Sequence, residues 1–241
     1  MSKKAIVVGA TSGIGRELVK VLAQAGYEIG VSGRRIELLN NLAQELSAHK
    51  ITVQEMDITL FDQARSQLED LIKHLGGLDL LIINAGVGDL TLNWDKELNI
   101  INTNATGFAA LANTAFHYFA AQNSGHIVGI SSVAAERGNG QSPSYSATKA
   151  FMSTYLQGLK YRAVRKKLNI AVTDIRPGFV DTPMTQKNKF PMPWMATPQK
   201  AARQIMAAID RKASVAYITR RWRIVSWLMR FIPDAVFAKI G

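Results

Sequence analysis

Ala5-Ile6-Val7-Val8-Gly9-Ala10-Thr11-Ser12-Gly13-Ile14-Gly15 is the stretch on which the fold turns. Its short apolar, β-branched run reads as a strand covered on both faces. The run breaks into a glycine-rich turn. From Ile14 to Ala25 apolar residues recur at helical spacing, and Gly26 supplies the stop. A strand passing through glycines into a helix opens a strand–helix–strand unit. The helix N-terminus presents unpaired N–H groups and the positive end of the helix dipole, a setting that suits a pyrophosphate. The spacing is G-x-x-x-G-x-G, not the G-x-G-x-x-G of the general dinucleotide fingerprint. Its place after a first strand and before a helix therefore carries the reading.

The alternation continues outward. Strands are expected over Glu28 to Ser32, Ile51 to Met56, Leu78 to Ile83, His126 to Ser131, Asn169 to Ile175 and Ser214 to Ile218. Helices are expected over Ile36 to Ala48, Leu60 to Leu75, Trp94 to Gln122 (with a bend near Thr106-Gly107), Pro143 to Lys167 and Ala196 to Asp210. Gly76-Gly77 ends the third helix, and Thr197 with Pro198 caps and opens the last. Strict alternation means parallel strands joined by right-handed crossovers. The expected fold is α/β: a Rossmann-like, doubly wound, seven-stranded parallel sheet with helices on both faces, in a single domain. Ligands of such a sheet bind beyond the carboxyl ends of the strands, at the switch point.

The chain has 241 residues, 47% hydrophobic and 20% charged, a composition that excludes disorder. It contains no cysteine, which excludes disulfides, thiolate catalysis and zinc–cysteine sites. No run reaches the roughly 18 apolar residues of a spanning helix, and the start lacks the longer apolar core of a signal peptide. A cytoplasmic protein is the expectation. The net charge is +11, and it is concentrated at the end. From Arg211 to Gly241 seven basic residues (Arg211, Lys212, Arg220, Arg221, Arg223, Arg230, Lys239) stand against one acid, Asp234. This suggests either contact with something anionic or a solvated basic surface. No nucleic-acid recognition motif accompanies the charge.

After the second strand an NAD-binding protein usually carries an acidic residue about 20 positions beyond the glycines, for the ribose hydroxyls. Here the stretch is Ser32-Gly33-Arg34-Arg35. Two guanidiniums suit a 2′-phosphate, so NADP(H) is expected over NAD(H). After the fifth strand come Ser131 and Ser132; Tyr145 follows Ser132 by 13 positions and Lys149 follows Tyr145 by four. Residues i and i+4 share a helix face. An ammonium beside the phenol is expected to lower its pKa, and the phenol can then exchange a proton with a carbonyl oxygen. The Ser132 hydroxyl can hold the same oxygen. Tyr-x-x-x-Lys alone is a weak signal; the serine directly after an apolar strand strengthens it.

In this order the residues resemble the classical short-chain dehydrogenase/reductase family. The resemblance covers about residues 3 to 183. It rests on the glycine turn, Asp57, Asn84-Ala85-Gly86, Asn104 in Asn-Ala-Thr-Gly, Ser132, Tyr145, Lys149 and Pro177-Gly178-Phe179-Val180-Asp181-Thr182. It implies that Tyr145 is the acid/base and Ser132 the carbonyl anchor. Lys149 would bind the nicotinamide ribose and lower the tyrosine pKa. Asn104 would hold a water that links Lys149 to solvent. Gly9, Thr11, Ser12, Gly13, Ile14 and Gly15 would take the pyrophosphate, and Arg34 and Arg35 the 2′-phosphate. Asp57 and Ile58 would flank the adenine, and Asn84, Ala85 and Gly86 would line the groove. Pro177, Gly178, Val180 and Thr182 would meet the nicotinamide end. Asn84 is equally placed to brace the sheet, and Asn102 is a rival for Asn104. The four histidines have no ligand spacing, and no catalytic metal is expected.

The expected activity is NADPH-dependent reduction of a ketone or aldehyde, or the reverse alcohol oxidation. The alternative is a non-catalytic NADP(H) sensor or scaffold. Residues 1–218 would form the cofactor-binding domain with its active site. Met184 to Met195, with Phe190, Pro191, Met192, Pro193 and Trp194, would be a mobile apolar flap. Val133, Ala134 and Phe179 would add to the wall, and an apolar substrate follows; the one charge in reach is Arg137. Residues 219–241 depart from the glycine-rich, tetramer-building tail of many family members. Trp222, Ile224, Trp227, Leu228, Met229 and Phe231 with interleaved arginines fit an interfacial helix on anionic lipid. They also fit a helix packed on its own subunit or on a partner. A homodimer through the long helices around Asn104 and Tyr145, or a higher homo-oligomer, is the expected assembly.

Overall fold

The computed structural model describes residues 2–187, 192–229 and 231–238. Seven parallel strands form one sheet in the order β3-β2-β1-β4-β5-β6-β7. They are β1 (Lys4–Val8), β2 (Glu28–Gly33), β3 (Ile51–Glu55), β4 (Leu80–Ile83), β5 (Gly125–Ile130), β6 (Ile170–Pro177) and β7 (Val215–Ile218). The helices are α1 (Gly13–Gln24), α2 (Ile36–Glu45), α3 (Phe61–Leu75), α4 (Trp94–Ile101), α5 (Phe108–Gln122), α6 (Pro143–Arg165), α7 (Pro198–Asp210), α8 (Arg221–Met229) and α9 (Asp234–Phe237). The order reverses between β1 and β4, which makes that crevice the switch point.

The period of two along the strands builds both layers. In β1, Ala5 and Val7 face one core with Leu18 and Leu22 of α1, Leu39 and Leu42 of α2, and Ile205 and Ile209 of α7. Ile6 and Val8 face the other with Leu68 and Leu71 of α3, Phe108 and Leu111 of α5, and Met152 and Leu156 of α6. A one-residue slip of β1 would move each set to the wrong layer.

Three expectations need correction. The long helix from Trp94 is not one continuous α-helix: it widens into a π-helical turn over Asn102–Gly107 between α4 and α5. There Gly107 lies so close to the Ile58 carbonyl that an added Cβ would come within 2.4 Å of it. The Asn104 amide is drawn to the Val87 backbone at the same turn. The sixth strand runs on through Pro177 instead of stopping at Ile175, because the proline pairs with Ile218 at the strand end and the next N–H, on Gly178, donates to the Ile218 carbonyl at 2.6 Å. A short 3₁₀ turn, Val133–Glu136, follows β5 where no element was expected; Ser132 caps it by accepting from the Ala134 N–H at 3.1 Å. Elsewhere ends differ by a few residues: α2 stops at Glu45, three short of Ala48, and α6 at Arg165. Among the described residues no helix is long and apolar enough to cross a membrane.

Candidate active site

The glycine turn ties the ends of three strands together. The Gly9 N–H donates to the Ser32 carbonyl of β2 at 2.8 Å, and Asn84 Nδ2, just past β4, donates to the Gly9 carbonyl at 2.8 Å. Gly9 has φ +85°, and a Cβ there would sit 2.6 Å from the Ala85 nitrogen. A Cβ on Gly15 would sit 2.1 Å from the Gly9 carbonyl oxygen, so α1 can approach the turn only with glycine there. Ser12 at the N-cap of α1 makes no side-chain cap, and no acid stands in the first turn. The positive helix end is thus left to whatever enters. Arg35 Nη2 donates to Thr11 Oγ1 at 2.6 Å and to Ser12 Oγ at 3.2 Å, bracing the same turn. Arg34 is exposed and makes none of the side-chain hydrogen bonds or ion pairs described.

A cavity of about 460 Å³ runs along the carboxyl ends of the strands. It is lined by Gly9, Thr11, Ser12, Gly13 and Ile14, by Arg34 and Arg35, by Asp57 and Ile58, and by Asn84, Ala85 and Gly86. At its other end stand Ser132, Tyr145, Lys149, Pro177, Gly178, Val180 and Thr182. Two of the expected site residues do not line it. Gly15 lies behind the turn for the packing reason above. Asn104 is fully buried, with Oδ1 accepting from the Val87 N–H at 2.9 Å and Nδ2 donating to the Val87 carbonyl at 2.8 Å and to Thr148 Oγ1 at 3.3 Å. Its side chain fixes the loop after β4 against α6. A Cβ on Gly86 would lie 3.3 Å from both Asn104 Oδ1 and Lys149 Nζ, so the two side chains flank one glycine. Asp57 accepts from the Thr59 N–H at 2.9 Å and its hydroxyl at 2.8 Å, which closes the turn after β3.

Lys149 Nζ donates to the Ile130 carbonyl at 2.9 Å and lies 5.6 Å from the centre of the Tyr145 ring. Burial brings its pKa down to about 8, with the Asp174 charge pulling the other way. Desolvation also pushes the Tyr145 phenol up, opposed by its hydrogen bond with Ser132. The ammonium is aimed at the Ile130 carbonyl, and loss of water around the phenol sets the direction of its shift.

The short chain dehydrogenase family model matches residues 3–191. The chain belongs to the short-chain dehydrogenase family. An uncharacterized oxidoreductase of Myxococcus xanthus is 35% identical over 98% of this chain and 94% of its own length. Among solved structures, an actinorhodin polyketide ketoreductase with NADPH superposes with TM-score 0.80 at 23% identity, over 90% of this chain and 95% of that one. A short-chain dehydrogenase/reductase from Burkholderia phymatum in complex with NAD gives TM-score 0.86 at 18% identity, over 94% and 92%. This short-chain dehydrogenase is therefore an oxidoreductase of CH–OH and C=O groups, with a fold that binds a nicotinamide dinucleotide. Its residues fit such a cofactor: Gly9, Thr11, Ser12 and Gly13 line the cavity, and the uncapped α1 terminus opens on it.

Several site features of this dehydrogenase went unread in the sequence. Behind Ser132, the Ser131 hydroxyl donates to Asp174, and Arg176 Nε donates to Asp174 Oδ2 at 2.6 Å. Arg176 also pairs with Glu136, which accepts from the Tyr217 hydroxyl at 2.7 Å. Asp174 and Arg176, two apart in an otherwise apolar strand, were the available signal. Trp222 of α8 is the second feature. It is 6% exposed and lies against Gly178, with the Phe179 ring 5.4 Å and the Trp194 ring 5.9 Å from its own. The tail thus packs on its own subunit through this face. Arg137 does not face substrate as a free charge: it donates to the carbonyls of Met229 and Ile232 and pairs with Asp234. Of the flap, Met184, Trp194 and Met195 are exposed, whereas Phe190 and Pro191 lie outside the described residues. Among the described residues no group of three or more His, Asp or Glu is arranged to hold a metal.

Proposed function

We propose that this dehydrogenase is an NADPH-dependent reductase of apolar ketones or aldehydes, able to run in reverse as an alcohol dehydrogenase. The observation that carries this is the convergence of Ser132, Tyr145 and Lys149 on the cavity that begins at the glycine turn and Arg34. Bound NADPH supplies hydride to the carbonyl carbon. Ser132 holds the carbonyl oxygen, and Tyr145 gives that oxygen its proton as negative charge develops there. A phenol held up by desolvation is protonated at neutral pH, which is the form a reductase needs in its acid. Lys149 holds the nicotinamide ribose, and Asn104, whose side chain is taken up by Val87 and Thr148, holds through its backbone a water that returns protons from solvent. Arg34 and Arg35 take the 2′-phosphate, Asp57 and Ile58 the adenine, and Pro177, Gly178, Val180 and Thr182 the nicotinamide end.

The apolar substrate follows from Val180, Pro183 and Met184, which line this end of the cavity, and from Trp222, packed behind Gly178 with the Phe179 and Trp194 rings against it. Residues 1–218 carry the site, and 219–241 complete the same domain. Assembly is a homodimer or higher homo-oligomer, with Phe151, Tyr161 and Val164 exposed on α6 for such a contact. The setting is the cytoplasm, with the tail at a membrane surface. The test is turnover: the purified protein with NADPH and a panel of apolar ketones and aldehydes should consume cofactor. Tight NADPH binding with no turnover on any of them would instead favour a non-catalytic sensor.

A further inference from the structure

The inner face of α8 is packed, but its outer face is not. Ile224, Trp227 and Leu228, with Phe231 in the turn beyond, are 65%, 59%, 50% and 68% exposed. Their spacing of i, i+3, i+4 and i+7 is that of one helical stripe. The Trp227 and Phe231 rings touch edge to face at 4.9 Å, so the outermost aromatics are held together in water. Arg220, Arg221 and Arg223 are exposed beside the stripe, and none makes a side-chain hydrogen bond or ion pair among those described. The stripe is also fixed relative to the catalytic cavity. Trp222, on the opposite side of α8, rests on Gly178, and Arg137, five residues after Ser132, holds the carbonyls at the far end of the helix. The exposed Trp194 stands at the same end of the molecule, against Trp222, with Met195 exposed beside it in the chain.

We propose that the outer face of α8 docks on an anionic bilayer. Ile224, Trp227, Leu228 and Phe231 enter the boundary between headgroups and acyl chains, and Arg220, Arg221 and Arg223 meet the lipid phosphates. The substrate class follows, and this part rests on the reductase reading: a bilayer-dissolved carbonyl compound that passes from lipid to the apolar end of the cavity beside α8. Charge selects the occupant. A second copy would bring a patch of the same positive charge to the interface, with no acid in the stripe to offset it. Four apolar side chains also fall far short of the roughly 20–30 residues a side of a stable protein interface. An anionic surface complements both the arginines and the +11 chain.

The full chain is sedimented with vesicles of phosphatidylcholine alone or with about one third phosphatidylglycerol. Binding should be at least about tenfold tighter to the anionic vesicles and fall with salt. Truncation is unsuitable because it removes Trp222. The variant Ile224→Ser/Trp227→Ser/Leu228→Ser changes only exposed positions, and unchanged NADPH binding certifies its fold. It should lose about tenfold in vesicle affinity, and Arg220→Gln/Arg221→Gln/Arg223→Gln should lose the preference for anionic lipid. Equal vesicle binding by wild type and the serine variant overturns the docking. So does absence of vesicle binding with a change in subunit number by sedimentation velocity, which would make the face a self-interface. For the substrate, the serine variant should raise KM about tenfold for a long-chain ketone supplied in vesicles, with no change for a short water-soluble one. Equal KM values overturn the lipid route. Failure of wild type on every carbonyl would strike the reductase reading and with it the substrate class, while the vesicle result still decides docking.

Discussion

Replacing Arg34 with alanine should separate the two nicotinamide cofactors. Arg34 lines the cavity, is exposed and is not bound to another side chain among the contacts described, whereas Arg35 already bridges Thr11 and Ser12. Of the two guanidiniums, Arg34 is the one whose loss leaves the bracing of the turn by Arg35 intact. A charge-assisted hydrogen bond is worth about 1.5–3 kcal/mol. Solvent screening at an exposed position favours the lower part, about 1.5–2 kcal/mol, or roughly ten- to thirtyfold in Kd. NADH lacks the phosphate and should bind Arg34→Ala as it binds the wild type, within about twofold. Titration of nicotinamide fluorescence for both cofactors, at two salt concentrations, reads this directly. NADPH affinity should fall with salt more steeply in the wild type than in the variant. An equal loss for NADPH and NADH would refute the reasoning and place Arg34 in maintenance of the turn. Wild-type protein that binds both equally would refute it at the start.

Two further outcomes follow from packing and titration. Gly178→Ala places a Cβ about 2.0 Å from Trp222 Nε1, so it should cost about 1–3 kcal/mol in urea unfolding, and Trp222→Leu in the same chain should recover part of the loss. His126, buried and hydrogen-bonded to Thr173 at 2.8 Å, is brought down to about 4 by burial, aided by the Lys212 charge. Its unfolded pKa is near 6.5, so the neutral form is favoured on folding and stability is lost as pH falls from 6.5 towards 4. Between pH 6.5 and 4.5 this amounts to about 2 kcal/mol, and the difference in unfolding free energy between wild type and His126→Gln should shrink by that much at the acid end.

The sheet was legible because its pattern is local: apolar β-branched runs alternate with helical periods, and Gly9, Gly26 and Gly76 punctuate them. Ser132, Tyr145 and Lys149 could be singled out because Ser132 closely follows β5, and Tyr145 and Lys149 lie one turn apart on α6. What stayed hidden depends on approach in space. The π turn at Asn102–Gly107 lies against Ile58, which belongs to a different crossover. The pairing of Arg137 with Asp234, of Ser131 with Asp174 and of Arg176 with Glu136 joins residues about 40 to 97 apart. The direction of the Tyr145 shift depends on desolvation, and i, i+4 spacing carries no information on how much water remains around a phenol. The tail left two readings open in sequence, and the inner and outer faces of α8 divide them: Trp222 packs inward while Trp227 stands in solvent.

The most direct test of the central claim is a rapid-mixing measurement of cofactor oxidation in Tyr145→Phe, with NADPH affinity measured on the same sample. The phenyl ring keeps the wall of the cavity and loses only the hydroxyl that gives the proton. The account predicts NADPH binding within about threefold of wild type and hydride transfer slowed about a hundred- to ten-thousandfold, the usual contribution of a positioned general acid. Turnover at the wild-type rate with cofactor bound would contradict it, because the proton to the carbonyl oxygen would then come from elsewhere.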